Sequence, residues 1–313
     1  MLKLAIVAPC YNEEDVLNSS THRLTALLDD LCSKGKVSPD SFILYVNDGS
    51  TDSTWELISG YHSSDPRVKG LCLAHNAGHQ YAIMAGMMQA RTMCDAVVTI
   101  DADLQDELSC IERMVDAYGE GFDVVYGVKV ERSADSAMKR WTAEAYYRLM
   151  AKMGVETVYN HADFRFMSRR VLDCLSEYKE RNLYLRALIP QIGFPSTTVD
   201  DHLGKREAGE SKYTLRKMLR LSVDGITSFT EKPLYYVLYT GILFIAVSLV
   251  ILVYAIFSLA SGKAAPGWTS LILSVWFIGG VILIALGIIG IYVGKVYSES
   301  KGRPLYNIRE FLD

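Results

Sequence analysis

Ala96-Val97-Val98-Thr99-Ile100-Asp101-Ala102-Asp103-Leu104-Gln105 is an apolar run that stops at two carboxylates one residue apart. A short apolar and β-branched run bounded by polar residues reads as a buried strand. The same pattern occurs earlier at Leu4 to Ala8, Phe42 to Val46 and Val68 to Ala74, and a helical pattern follows each run. Strands alternating with helices predict a doubly wound α/β layout. Acidic residues cluster just beyond three of these strands, at Asn12-Glu13, at Asp48 with Asp52, and at Asp101 with Asp103. Open parallel sheets bind ligands outside the carboxyl ends of their strands, so these side chains are expected to converge on one crevice. No GxGxxG follows the first strand, which argues against a dinucleotide-binding dehydrogenase.

Further along, Val124 to Val130 and Phe194 to His202 read as strands and Asp135 to Met153 as a helix, while Asp163 to Met167 leads into a helix near Arg169. The composition then changes, about three quarters of the way through the 313 residues. Pro233 to Gly262 and Ala264 to Gly294 contain no charged side chain. Each exceeds the roughly 20 residues that a helix needs to cross the hydrocarbon core. Two spanning helices are expected, at about 234–260 and 268–294, with residues 1–212 as a separate domain before them and 297–313 as a tail. Residues 213–232 carry Arg216, Lys217 and Arg220 on one side and Leu215, Met218, Leu219 and Leu221 among the apolar positions, a pattern suited to a membrane surface.

Lys232 precedes the first span and Lys295, Lys301 and Arg303 follow the second, whereas the intervening loop holds only Lys263. The positive-inside rule then puts both termini in the cytosol. The apolar run ending at Pro9 lacks the length of a signal-peptide core. Six cysteines without close pairs suit reduced thiols in a cytosolic domain, with no disulfide and no zinc site. A net charge of −4 gives no sign of a nucleic-acid partner, and against it the excess of Lys and Arg between 205 and 232 suits anionic headgroups or phosphates.

Two carboxylates at a strand exit can hold Mg²⁺ or Mn²⁺ while the cation's other positions take diphosphate oxygens and water. An isolated Asp pair is equally ordinary turn or cap chemistry. Its company here is Pro9-Cys10-Tyr11-Asn12-Glu13 after the first strand and Val46-Asn47-Asp48-Gly49-Ser50-Thr51-Asp52-Ser53-Thr54 after the second. Asp52 by itself suits a helix cap. His75 and His79 are four apart, but Asn76-Ala77-Gly78 between them reads as a loop and no third ligand accompanies them, so a metal role is rejected.

Together, in this order, the motifs resemble family 2 glycosyltransferases of the GT-A (Rossmann-like) fold, over roughly the first 210 residues. Asp101-Ala102-Asp103-Leu104-Gln105-Asp106, Ala162-Asp163-Phe164-Arg165, Gly209-Glu210-Ser211-Lys212-Tyr213 and the paired spans are similar to the polyisoprenyl-phosphate glycosyltransferases within it. The resemblance implies a metal held by Asp101, Asp103 and Gln105, and a nucleotide sugar bound by Pro9, Tyr11, Glu13, Asp48 and Asp101, with Arg206 and Lys212 on its phosphates. It implies a lipid phosphate met by Arg132, Lys139, Arg140 and Ser211. Gly127-Val128-Lys129-Val130-Glu131-Arg132 departs from the Gly-Ser-Arg often seen there, which leaves Lys129 and Arg132 as alternatives for one cation. Asp163 is the residue the subgroup assigns as catalytic base. A phosphate monoester has its second pKa near 6 and is largely ionised at neutral pH, so a strong base is hardly needed. Asp163 is equally suited to orienting the sugar or Arg165.

The resemblance further implies a bacterial plasma-membrane enzyme that transfers a hexose, glucose from UDP-glucose in the first place, to undecaprenyl phosphate with inversion. A homotetramer, a flippase and a downstream transferase are the partners it suggests. A processive polysaccharide synthase shares the fold, but Arg140-Trp141 is preceded by Ala137 rather than the Gln of QxxRW. A silent nucleotide-binding membrane scaffold is disfavoured by the intact set Asp48, Asp101, Asp103 and Asp163.

Overall fold

The computed structural model describes residues 1–129, 148, 152–153, 158, 160–202, 226–228, 230–260 and 267–313. The chain forms two units, one of Met1–Ala151, Glu156–Thr214 and Arg303–Asp313, the other of Lys152–Val155 and Leu215–Gly302.

In the first unit the chain runs β1 (Leu4–Cys10), α1 (Glu14–Ser33), β2 (Phe42–Asn47), α2 (Thr54–Ser64), β3 (Val68–Leu73), α3 (His79–Ala90), β4 (Ala96–Thr99) and α4 (Ser109–Gly119). It continues through β5 (Val124–Lys129), β6 (His161–Ser168), two short helices at Arg169–Leu175 and Leu185–Gln191, and β7 (Ser196–Asp201); β8 (Ile308–Leu312) closes the chain. Every residue of β1, β2 and β4 is buried. That explains why these strands read as continuous apolar runs, since helices cover both faces of a parallel sheet.

The sheet order is β7-β5-β6-β4-β1-β2-β3-β8. β4, β1, β2 and β3 are mutually parallel, as expected from the alternation. The sheet is nevertheless mixed, because β6 inserts antiparallel between β4 and β5. Its register pairs Thr99 with Arg165, and two residues further on Asp163 comes level with Asp101. Thr99 Oγ1 donates to the Asp163 carbonyl at 2.5 Å, which fixes that level. The reversed strand thus delivers a residue from near its start to the carboxyl ends of the parallel strands.

The end of the chain is the second departure from a parallel sheet. β8 pairs antiparallel with β3, Gly70 opposite Leu312 and Cys72 opposite Glu310. Ala74 N–H donates to Asn307 O at 2.8 Å, and Lys69 pairs with Asp313. β8 covers the edge that β3 would otherwise leave open to other chains.

In the second unit, helices span Lys232–Ala260 and Trp268–Ser300. Phe244 packs on Phe277 with ring centroids 5.6 Å apart, and the Tyr292 hydroxyl donates to Thr230 O at 2.7 Å. Low numbers on one helix meet high numbers on the other, so the two run antiparallel. Phe277–Ser300 is long and apolar enough to cross a membrane, and Lys232–Val247 is a shorter apolar stretch. Leu243, Leu283 and Val293 are each at least 60% exposed, far more apolar surface than a water-soluble helix pair presents. The amphipathic stretch expected over 213–232 falls mostly outside the described residues.

Candidate active site

Four loops at the carboxyl ends of β1, β2, β3 and β4 build one crevice. Pro9, Cys10, Tyr11, Glu13, Asp48, Asn76, Gly78, His79, Asp101 and Asp103 are among its walls, around a cavity of about 320 Å³. The convergence expected from the strand ends is therefore what forms. Asp52 is the exception: its carboxylate accepts from Thr54 N–H at 3.1 Å and Glu14 N–H at 3.3 Å, binding the starts of two helices.

The first two loops are laced together. Asn12, with φ +55°, accepts at Oδ1 from Thr51 N–H at 2.9 Å, and its own N–H donates to Ser50 Oγ at 3.0 Å. Glu13 N–H donates to Thr54 Oγ1 at 3.0 Å. Asn tolerates this left-handed conformation better than most residues, so Tyr11 and Glu13 are held at the crevice at little cost. Tyr11 remains half exposed, leaving its ring face available for stacking.

Asp48 is buried and uses both oxygens on the loop after β3, accepting from Ala77 N–H at 2.7 Å and Gly78 N–H at 3.0 Å. Burial raises its pKa, and these two hydrogen bonds work against that rise. Asp48 therefore shapes the wall of the crevice as well as facing it. Gly49, at φ +67°, lets the loop pass directly overhead: a Cβ there would lie 2.6 Å from Asn76 N and 2.7 Å from the His75 carbonyl carbon. Backbone cannot yield as a side-chain tip can, so Gly49→Ala is expected to cost about 2 kcal/mol or more. A thermal melt should show the midpoint lowered by about 4–8 °C, with nucleotide-sugar affinity reduced as the wall shifts.

Asp101-Ala102-Asp103-Leu104 forms a tight turn, closed by Leu104 N–H donating to Asp101 O at 3.1 Å. Leu104 is buried at φ +46°, a conformation unusual for a branched side chain and one that clusters at functional sites. Ser20 Oγ on α1 supports the turn by donating to Ala102 O at 2.6 Å. Both carboxylates are thereby displayed on the crevice. Asp103 Oδ1 is buried with no hydrogen-bond partner among the described residues, and Asp103 Oδ2 accepts from the Gln105 amide. Burial raises the pKa of Asp101, and Asp163 and Asp103 raise it further against the pull of His79. An orphaned carboxylate oxygen beside a neighbour whose charge is penalised is what a divalent cation would relieve, so the residues fit Mg²⁺ or Mn²⁺. A half-turn of its amide would let Gln105 present an oxygen to that ion. Among the described residues no group of three His, Cys, Asp or Glu side chains forms a protein-only cage, so a cation here would draw its other ligands from substrate and water.

Asp163, on β6, sits at the back of the site. Arg165 Nη2 lies 2.5 Å from Oδ1, Arg186 Nη2 3.1 Å from Oδ2, and His79 Nε2 3.5 Å from Oδ2. Burial alone would raise its pKa, but Arg186, then His79 and Arg165, hold it well below the usual carboxylate range. Such a carboxylate is a weak base and a strong anchor. His79 also lies 3.6 Å from Asp101 Oδ1, bridging the two carboxylates; Asp163 and Asp101 raise its pKa despite the opposing effect of burial. Behind the turn, Asp106 is pushed up to about 7 by burial, with Lys129 at 3.3 Å pulling it down and Asp201 raising it. Lys129 Nζ thus faces Asp106. Arg132, Lys139, Arg140, Arg206, Ser211 and Lys212 lie outside the described residues.

A model of glycosyl transferase family 2 matches residues 5–176, the stretch that carries the crevice, the Asp101–Asp103 turn and Asp163. The chain belongs to glycosyl transferase family 2. The mixed sheet with its carboxyl-end crevice is accordingly a GT-A-like fold. Among relatives, an uncharacterised glycosyltransferase of Bacillus subtilis (strain 168), YkoT, is 45% identical over 305 residues, 97% of this chain and 90% of that protein. The bactoprenol glucosyl transferase of Shigella phage SfV is 34% identical over 311 residues, 98% of each chain. A prophage bactoprenol glucosyl transferase homolog of Escherichia coli (strain K12) is 33% identical over 310 residues, covering 98% of this chain and 99% of that one.

Gln80 and Arg186, which contact Asp163, were not singled out in the sequence, and His79 was weighed there only as a metal ligand. His79 carried a signal in retrospect, since Gly78 at φ +105° sets it as the first residue of a helix opening on the crevice. Arg186 carried none, because it lies in a short helix after the recognised motifs and reaches the site only through the placement of β6.

Proposed function

We propose that this glycosyltransferase moves a hexose, glucose from UDP-glucose in the first place, onto a polyisoprenyl phosphate such as undecaprenyl phosphate. The observation that carries the reading is the Asp101–Asp103 turn opening on the same crevice as Tyr11, Glu13 and Asp48, level with Asp163. The acceptor and the sugar are supported by relatives named bactoprenol glucosyl transferase that align over nearly the whole chain.

In this reading Pro9, Tyr11, Glu13 and Asp48 hold the nucleoside, and Asp101, Asp103 and Gln105 hold the cation. A divalent cation there offsets charge on the departing nucleotide diphosphate. An acceptor phosphate oxygen bonds to the anomeric carbon as the bond to the diphosphate oxygen breaks, through an oxocarbenium-like transition state, with inversion. The acceptor is already ionised at neutral pH, so Asp163 works by charge and position rather than by taking a proton. Arg206 and Lys212 are assigned to donor phosphates, and Arg132, Lys139, Arg140 and Ser211 to the lipid phosphate.

Residues 1–212 then form the cytosolic catalytic domain, 213–232 an interfacial segment, 234–260 and 268–294 two membrane spans, and 297–313 a cytosolic tail in the plasma membrane of a bacterium. The chain leaves the catalytic sheet after β7 and rejoins it as β8, which supports an even number of crossings between them. Homotetramer assembly and hand-over to a flippase and a second transferase complete the proposal.

A panel of radiolabelled UDP- and GDP-sugars tests it, each incubated with the full chain, undecaprenyl phosphate and Mn²⁺, Mg²⁺ or EDTA. The expected result is a lipid-extractable product from UDP-glucose that EDTA abolishes. Metal-independent turnover, or a product from another donor alone, would overturn the metal or the sugar respectively.

A further inference from the structure

His79 belongs both to the wall of the donor crevice and to the surroundings of Asp163. Its side chain is half exposed, and Nε2 stands 3.5 Å from Asp163 Oδ2 and 3.6 Å from Asp101 Oδ1. Both distances exceed the roughly 2.7–3.2 Å of a good N–H···O bond. A small polar group set against all three side chains would make shorter bonds than either present contact.

The imidazole and the carboxylate it faces are placed independently of each other. Gly78 precedes His79 at φ +105°, and Asp48 Oδ2 accepts from Gly78 N–H at 3.0 Å, so the carboxylate assigned to the nucleoside also sets the start of α3. Asp163 is held by Arg165 and Arg186, and the Gln80 amide nitrogen donates to its Oδ1 at 3.4 Å. Losing the imidazole would therefore leave Asp163 in position.

We infer that His79 binds a hydroxyl of the transferred sugar, with a neighbouring carboxylate accepting that hydroxyl's own proton, and so helps to set which hexose is transferred. This rests on the reading of the reaction given above, in which the diphosphate lies at the Asp101–Asp103 turn and the sugar beyond it toward Asp163. Diphosphate oxygens only accept hydrogen bonds, so they suit the cation and not the carboxylate of Asp163. A sugar hydroxyl accepts from Nε2–H while donating to a carboxylate, and is the part of the donor that satisfies both kinds of neighbour. A site built to hydrogen-bond a hydroxyl rejects a donor that lacks it.

The test uses the full chain in detergent with Mn²⁺ and saturating undecaprenyl phosphate. Initial rates are compared for the donor that the wild type uses, UDP-glucose in the reading above, and for analogues that each lack one sugar hydroxyl; UDP affinity is measured separately by calorimetry. His79→Ala is expected to lower kcat/KM for the intact donor by about 10- to 100-fold. Its UDP affinity and thermal midpoint should stay near wild type. The wild type should lose activity with the deoxy donors, and for one of them that loss should shrink by about 10-fold in His79→Ala, because the partner of the missing hydroxyl is already gone. His79→Gln keeps an N–H donor and should recover part of the rate. Deoxy penalties that all carry over to His79→Ala to within about 2-fold would overturn the assignment. So would a loss of UDP affinity as large as the loss of kcat/KM, which would make His79 a support of the nucleotide instead. Failure of the wild type to make any lipid product would refute the reaction itself, and is seen before any variant is assayed.

Discussion

Asp103→Ala should abolish nearly all transfer, lowering the rate by about 10³-fold, equivalent to about 4 kcal/mol of transition-state stabilisation. Asp103 Oδ1 is a buried oxygen with no partner among the described residues, so its removal loses no internal hydrogen bond at that atom. The cost falls on cation binding and on the charge of the leaving diphosphate, while the turn keeps its Leu104 to Asp101 bond. A thermal melt of Asp103→Ala should therefore stay close to wild type, or rise slightly as carboxylate repulsion around Asp101 is relieved. Assay of transfer at rising Mn²⁺ separates the two contributions: if metal affinity is the main loss, excess Mn²⁺ restores part of the rate.

Asp163→Ala should behave in the opposite way, as a failure of stability as well as activity. Arg165 is fully buried and Asp163 is its carboxylate partner. Removing one member of a buried pair leaves an uncompensated charge, at about 3–5 kcal/mol. For a domain of this size the thermal midpoint should drop by about 6–20 °C. The pH dependence follows from the direction of the shift. Asp163 has its folded pKa held well below the ordinary carboxylate value, so its stabilisation is fully present above about pH 4. It is lost as pH falls through the folded value. The gap in stability between wild type and Asp163→Ala should thus be flat from about pH 5 to 8 and close only in strong acid. If Asp163 were instead a base with a raised folded pKa, the gap would widen as pH falls toward about 4, and with an ordinary pKa it would not change with pH at all.

The parts of this protein that were legible in its sequence share a physical cause. β1, β2 and β4 are buried on both faces and so are written as unbroken apolar runs, and the polar residues directly after them had to stand at the sheet's carboxyl edge. Asp48, Asp101 and Asp103 could be placed in one crevice on that basis alone. What escaped was set by pairing rather than by local pattern. The antiparallel insertion of β6 puts Asp163 beside Asp101, and nothing in His161–Ser168 announces the direction in which it will pair. β8 is five residues long with its first three exposed, and it joins β3 across more than 230 positions of chain. A strand that weakly patterned takes its identity from the edge it covers. In the sequence Asp48 suits a nucleoside ligand, whereas its grip on the Ala77 and Gly78 amides depends on the loop after β3 passing over Gly49, a tertiary approach that no local pattern encodes.

The most direct test of the account is the chemical requirement on the acceptor. Purified full chain with labelled UDP-glucose and Mn²⁺ would be offered undecaprenyl phosphate in one reaction and undecaprenol, the same lipid without its phosphate, in another. The account predicts a labelled glycolipid from the phosphate alone, joined through an acid-labile sugar phosphate bond and inverted at the anomeric carbon. Equal transfer to undecaprenol, or a product that retains the donor's configuration, would contradict it.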